Sequence, residues 1–418
     1  MEVRKLKENE HILHRGISVS VFHDMKRQDI REMMETPLDH KEEVEASRWG
    51  CFDEDGTLRS AAISIPFDIK MNHNTVKMGG IGNVVTRPQS RGKGLVNKIF
   101  KKIFDEMYEN NQIFSFLYPF SFEYYRKFGY EICLNHNEWT IPTTELSKFP
   151  YPKNVQAFEP GDDLSPYIEI HKEFMHDRNW SVVRSPQIWQ DTMTCDPYKN
   201  LEFIFLIRDE KYNMPIGYIS YKAIKNSPSE DGVLEIKEMF WTAPRGLRQL
   251  LGFIGKLSPE FKTVKWTDAP GDLNLHALGI NPYSINLSVK AACMGRIVNV
   301  KAALETLTAP SFTNADEVAI KVIDDYYPIN TGRYEIKWDK GRVTVSRVAV
   351  LEAESDRADM EVTVGTLAQL VSGYMSLQEA ALKPSTILTY KNEPYYDENI
   401  KMLEILFPKK QVYLIERF

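Results

Sequence analysis

Residues 84–100, VVTRPQSRGKGLVNKIF, pass from two valines through a proline turn and a glycine-spaced basic loop into an amphipathic run. This order restricts the fold more than any other feature of the chain. Leu95, Val96, Ile99, Phe100, Ile103, Phe104 and Met107 recur at helical spacing, so the helix needs an apolar surface to cover. QIFSFLYP follows at once and reads as a short buried strand. A strand, a glycine loop, a helix and a second strand imply a parallel pair joined by a crossover helix. Upstream, CFDEDGTLRSAAISIPF and TVKMGGIGNVV are separated by turn signals at Asp55, Gly56 and MNHN, which gives an antiparallel meander. Downstream, FEYYRKFG reads as a short helix closed by Gly129.

A chain of 418 residues is too long for one ordinary core, and three domains are expected. The first is residues 1–150, ending near Pro150, Pro152 and Pro160. Residues 151–289 repeat its grammar: strand, acidic turn and strand in LEFIFLIRDEKYNMPIGYISYKAI, a strand in VLEIKEMFW, a helix in RGLRQLLGFIGKL and a strand in TVKWTDA. Here the loop is TAPRG, without a second glycine. Residues 290–418 form a third unit, with a helical NVKAALETL, strands in EVAIKVID and RYEIKWDKGRVTVSRV, a strand-to-helix phrase MEVTVGTLAQLVSGY, and a strand-like end, QVYLIERF. The fold class is therefore α/β with mixed, α+β-type sheets.

Hydrophobic residues make up 43% and charged residues 26%, which suits several packed cores. The formal charge of −6 argues weakly against a nucleic-acid surface and is compatible with a cationic partner. Cys51, Cys133, Cys195 and Cys293 lie far apart without a CxxC pair, as in a reducing cytosol. The N-terminus lacks the apolar run of a signal peptide, and no stretch approaches the ~18 apolar residues of a membrane span. A cytoplasmic protein that binds neither membrane nor nucleic acid is expected.

Gln89, Ser90, Arg91, Gly92, Lys93 and Gly94 spell QxxGxG between strand and helix. Backbone amides at a helix start favour an anion, and glycines let a phosphate reach the main chain. Arg91 and Lys93 add charge. A Walker loop would need GxxxxGK[ST], and a dinucleotide fingerprint would need glycine where Asn97 stands. The string resembles instead the coenzyme A pyrophosphate loop of GCN5-related N-acetyltransferases (GNAT), Q/R-x-x-G-x-G/A after a bulged strand. Tyr125 to Tyr130, YRKFGY, resembles the same superfamily's Y-x-x-x-G-F/Y element. An active GNAT domain, a second one stripped of its loop and a C-terminal unit similar to sterol carrier proteins together resemble the Eis (enhanced intracellular survival) family. RIVNVKAAL and MEVTVGTLAQLVSGY are similar to that family's third-domain phrases.

The resemblance implies acetyl-CoA as cosubstrate, held by Val84, Val85, Gln89, Arg91, Gly92, Lys93, Gly94 and Leu95. It implies a small cationic amine as acceptor, such as an aminoglycoside or another polyamine acetylated at several positions, and a homo-hexamer. An amine with a pKa near ~10 must lose a proton before it attacks a thioester. The backbone amide of Val85 is the expected oxyanion donor and Tyr125 the expected acid for the leaving thiolate. Phe418 stands where the family's terminal α-carboxylate accepts the proton, although Arg417 departs from an acidic penultimate residue. Asp24 falls where the resemblance puts an acceptor-pocket carboxylate, and a plain helix-surface aspartate is the competing reading.

Other constellations are weak. The nine histidines include no HExxH, and His171 and His176, five apart on a helix, fit a solvated face better than a metal site. No metal is expected. Asp53, Glu54 and Asp55 read as a hairpin tip. Two competing functions remain: acetylation of protein or peptide amines, and a non-catalytic lipid carrier in which the loop is a relic. The intact QSRGKG argues against the second.

Overall fold

A computed structural model describes residues 1–21, 46–193, 201–225, 231–309, 317–348, 358–389 and 398–418. They pack as two compact units, Met1–Cys133 with Cys293–Lys410 and Glu416–Phe418, and Leu134–Ala292 with Gln411–Ile415.

In the first unit, β1 (Glu2–Lys5), β2 (Ser47–Phe52), β3 (Leu58–Met71) and β4 (Asn74–Thr86) pair antiparallel in that order. The acidic tip is the β2–β3 hairpin: Asp53 accepts from the Thr57 N–H and from Arg59, and Gly56 turns the chain at φ +74°. β4 then pairs parallel with β5 (Gln112–Leu117). Between them crosses the helix Leu95–Glu109, here α2, the first being α1 at His11–Val21. All seven apolar residues of the periodic stripe are buried, so the spacing alone locates the helix face that covers the sheet. Truncating Phe100 to alanine in such a site costs about 3–5 kcal/mol. Met294–Ile297, at the end of β12 (Asn286–Ile297), pair antiparallel with β5.

The third sequence segment packs in the same unit. Its five-stranded sheet places β13 (Glu317–Ile323) between β14 (Gly332–Asp339) and β16 (Met360–Thr363), with β15 (Arg342–Val348) and β17 (Ile387–Leu388) outermost. WDKG is a hairpin because Lys340 and Gly341 both take positive φ, +48° and +84°. Arg296, fully buried, pairs with Asp324 and donates to the carbonyls of Phe128 and Ile297. Breaking one partner of such a pair costs about 3–5 kcal/mol, because the other is left charged and buried.

The second unit repeats the ladder pattern of the first. β7 (Asn154–Ala157), β8 (Glu202–Arg208), β9 (Pro215–Ile224) and β10 (Gly232–Trp241) pair antiparallel. β10 is parallel to β11 (Phe261–Trp266) across the helix Pro244–Lys256, and β11 is antiparallel to Trp139–Pro142 of β6 (Glu131–Pro142). The shared succession of ladder senses makes the duplication visible where residue identity does not.

Two local expectations are corrected. QVYLIERF is extended but joins no sheet among the described residues; Val412 makes a single bridge to Asn179. Its backbone partners change every few residues, from Gly373 at Lys410 to Asn179 at Gln411 and Tyr413, so no ladder propagates. His171 is not on a solvated face: it is 4% exposed and packs edge-on against Trp189 and Phe240, while His176 is the exposed one. Among the described residues no cluster of three potential metal ligands occurs.

Candidate active site

β4 is the spine of the site. Ala61 and Ile63 of β3 face Val85 and Gly82, so β4 carries one extra residue over this interval. Asn83 takes φ +45° there. Such a bulge ends regular pairing and re-aims the backbone. α1 braces it from behind. His14 Nε2 donates to the Asn83 carbonyl at 2.9 Å, and Ser18 Oγ lies 2.8 Å from Asn83 Oδ1. Burial pushes the His14 imidazole down to about 4, with Arg48 and His11 adding to the effect and the bond to Asn83 opposing it. The ring is therefore neutral at pH 7. Sequence reading missed this brace; its one signal is the i, i+4 spacing of His14 and Ser18 on an amphipathic helix.

Beyond the bulge, the Val85 side chain is 1% exposed and packs with Ile17, Phe52 and Leu58, so only its main chain is available to a ligand. Val84 packs against the cluster that holds Leu95, Phe100 and Tyr125. Pro88–Ser90 then form a tight turn, followed by the exposed Arg91, Gly92, Lys93 and Gly94. Gly92 and Gly94 sit at φ +76° and +70°, and an added Cβ at either would meet open space. No side chain caps α2, so its first amides keep their donors for another acceptor. Arg91 and Lys93 have no ion-pair or hydrogen-bond partner among the described residues. A cradle of amides, left-handed glycines and two free cations fits the pyrophosphate of coenzyme A.

Tyr125 lies on α3 (Phe122–Arg126), capped by Ser121, whose Oγ accepts from the Tyr124 N–H. Its ring is 3% exposed, held by Phe100, Phe120, Tyr124, Phe128 and Tyr130. Burial, with Tyr124 beside it, raises its pKa above the usual tyrosine value, so the hydroxyl keeps its proton. Tyr124 is less buried. The Tyr125 hydroxyl has no hydrogen-bond partner among the described residues.

The C-terminus reaches the same strand. A Cβ at Gly82 would lie 2.9 Å from the terminal carbon of Phe418, and one at Gly80 would lie 2.8 Å from its ring. The phenyl ring packs on Phe67 at 5.3 Å and on Tyr118 at 5.4 Å between centroids. Gly80 and Gly82 of β4 thus leave the space that Phe418 fills, and a side chain at either would close it, whereas Gly79 faces Met107. The structure seats Phe418 against Gly80 and Gly82 of β4, the strand that carries Val84 and Val85; Tyr118 packs on Phe418, and Phe120 packs on Tyr125. Asp24 lies outside the described residues.

Residues 2–133 and 181–297 each match a family model described as an acetyltransferase (GNAT) domain, and residues 300–415 match a sterol carrier protein domain. No protein in the curated set matches. Among solved structures, the chain is similar over its whole length to a conserved protein of unknown function from Enterococcus faecalis, titled a probable N-acyltransferase (20% identity, TM-score 0.82, 99% of that chain). A GCN5-related N-acetyltransferase from Anabaena variabilis (19%, 0.82) and Eis1 from Mycobacterium abscessus (18%, 0.78) are covered completely, as is this chain.

Proposed function

We propose that this chain, a GNAT acyltransferase with two GNAT domains, a sterol carrier protein domain and the Eis-like architecture, transfers acetyl groups directly to amines of aminoglycosides or similar small polyamines, at more than one position. The observation that carries the reading is the seat of the Phe418 terminus against Gly82, next to the bulge and just before the glycine loop. A carboxylate there meets the two needs of a cationic acceptor: it attracts an ammonium group, and it takes the proton that the nitrogen must lose.

Val84 and Val85 main chain, Gln89, Arg91, Gly92, Lys93, Gly94 and Leu95 hold the coenzyme in this reading. Acetyl-CoA, when bound, supplies the activated thioester. The Phe418 carboxylate accepts the acceptor's proton, directly or through water, and the Val85 N–H donates to the carbonyl oxygen as negative charge develops there. The Tyr125 hydroxyl donates towards the leaving sulfur. A thiol's ordinary pKa is about 8.5, below that of a buried tyrosine, so this donation strengthens only as the sulfur's own charge is desolvated beside it. The reading also includes a cytoplasmic homo-hexamer, checked by light scattering. No described helix is long and apolar enough to cross a membrane.

The test is mass spectrometry of an aminoglycoside panel incubated with enzyme and acetyl-CoA, beside lysine-containing peptides. Products carrying two or more acetyl increments on the aminoglycosides support the proposal. Turnover confined to peptides overturns it.

A further inference from the structure

The terminal carboxylate can serve as a proton acceptor only if a chain end, normally frayed, is held in one place. One side chain touches all three terminal residues. Tyr118, the residue after β5, donates its hydroxyl to the Glu416 carbonyl at 2.9 Å. The Arg417 guanidinium lies 4.7 Å from its ring centroid, and the Phe418 ring packs at 5.4 Å. A hydrogen bond, a cation–π contact and a tilted aromatic pair thus fix three consecutive residues from one side, while Gly80 and Gly82 bound the groove from the strand.

We infer that Tyr118 is a positioning residue that clamps the C-terminal tripeptide, acting on acetyl transfer only through the placement of the Phe418 carboxylate. The inference rests on the proposed role of that carboxylate. It also gives Arg417, the departure from an acidic penultimate residue, a place in the site: its cation is stacked on Tyr118. Each contact is modest by itself. Together they are the size of effect that keeps a terminus ordered against the entropy of fixing its residues.

The experiment combines Tyr118→Phe, Tyr118→Ala and deletion of Phe418, singly and as the Tyr118→Ala/deletion double variant, in the full-length enzyme. kcat and the KM for a polyamine acceptor are measured, with acetyl-CoA affinity by calorimetry. Tyr118→Phe is expected to lower kcat by roughly 3- to 10-fold and Tyr118→Ala by roughly 10- to 100-fold, with acetyl-CoA affinity unchanged. The decisive readout is non-additivity: once Phe418 is gone, Tyr118→Ala should cost nothing more. A further loss in the deletion background, or unchanged kcat in Tyr118→Ala while the deletion is inactive, overturns the clamp and leaves the carboxylate's role standing. Full activity of the deletion variant overturns both. If Tyr118→Ala does not fold, Tyr118→Phe in both backgrounds gives the same cycle with a smaller amplitude.

Discussion

The two strand–helix crossovers of this chain start alike and end differently. β4 and β10 are each followed by a helix and a parallel strand, and each carries a bulge, at Asn83–Val84 in the first and at Lys237 in the second. After the first bulge come two glycines in the left-handed region with open space beside them. After the second, the helix begins with Ala243 at φ −151° and Pro244, which removes one amide donor. The remaining glycine of TAPRG, Gly246, serves packing: a Cβ there would come 2.3 Å from the Ile216 carbonyl oxygen. The bulge belongs to the sheet and survives duplication; the anion cradle depends on a few backbone positions and is lost when they are filled. One coenzyme per chain is therefore expected, and a titration that saturates at two contradicts the comparison.

The buried supports behind the bulges also differ. In the first domain they are uncharged, His14 and Ser18 on Asn83. In the second, Glu238 pairs with buried Arg184 and accepts from the Tyr218 hydroxyl at 2.9 Å. The largest expected effect follows: Glu238→Ala removes the carboxylate that Arg184 pairs with in the interior and should cost about 3–5 kcal/mol in stability. Thermal unfolding measures it. The coenzyme stoichiometry of any variant that still folds should stay at one.

Next in size is Tyr125→Phe, expected to lower kcat by roughly 10²-fold through the lost hydroxyl alone, while Tyr124→Phe does much less. Equal small losses in both would remove Tyr125 from the acid's role. Smaller again is the contrast between the two loop glycines. Gly92→Ala meets no atom but is strained at φ +76°, by about 1–2 kcal/mol, so acetyl-CoA affinity should fall roughly tenfold. Gly246→Ala is expected to destabilise the protein by about 1–3 kcal/mol and leave that affinity alone. Gly92→Glu adds like charge to the strain and should bind more weakly than Gly92→Ala; equal affinities would mean that no phosphate lies there.

The crossover, its helix face and the loop were legible because each is local: Leu95 to Met107 repeat at helical spacing, and QSRGKG carries its glycines within a few residues. The seat of the terminus was legible only in part: the resemblance put Phe418 at the site without saying which residues receive it. Gly80 and Gly82 are needed because Phe418 lies on them, and nothing near GGIG announces a partner at the far end of the chain. QVYLIERF misled for a related reason: buried Tyr413 and Leu414 look like strand residues, but their surroundings supply single hydrogen bonds instead of a ladder. His171 misled because helical spacing alone did not report Trp189 and Phe240 closing over it.

The smallest expected effect concerns the brace that the first domain alone uses. His14 Nε2 already donates to Asn83, and Nδ1 has no partner among the described residues, so a second proton would place an N–H in the interior without an acceptor. Burial, with Arg48 and His11 adding to it and the Asn83 bond opposing it, holds the folded-state pKa at about 4, below an unfolded value of about 6.5. The unfolded chain therefore binds a proton more readily between these values. The stabilisation is fully present above about pH 6.5 and is lost as pH falls from there towards 4, amounting to about 1 kcal/mol between pH 7 and 5.5. His14→Gln, whose side-chain amide can still donate to Asn83, should flatten that part of the stability profile while changing activity little at pH 7. Denaturant unfolding of both proteins across this range decides it: parallel profiles would show that the brace does not titrate and that the two bulges are supported in the same, pH-independent way.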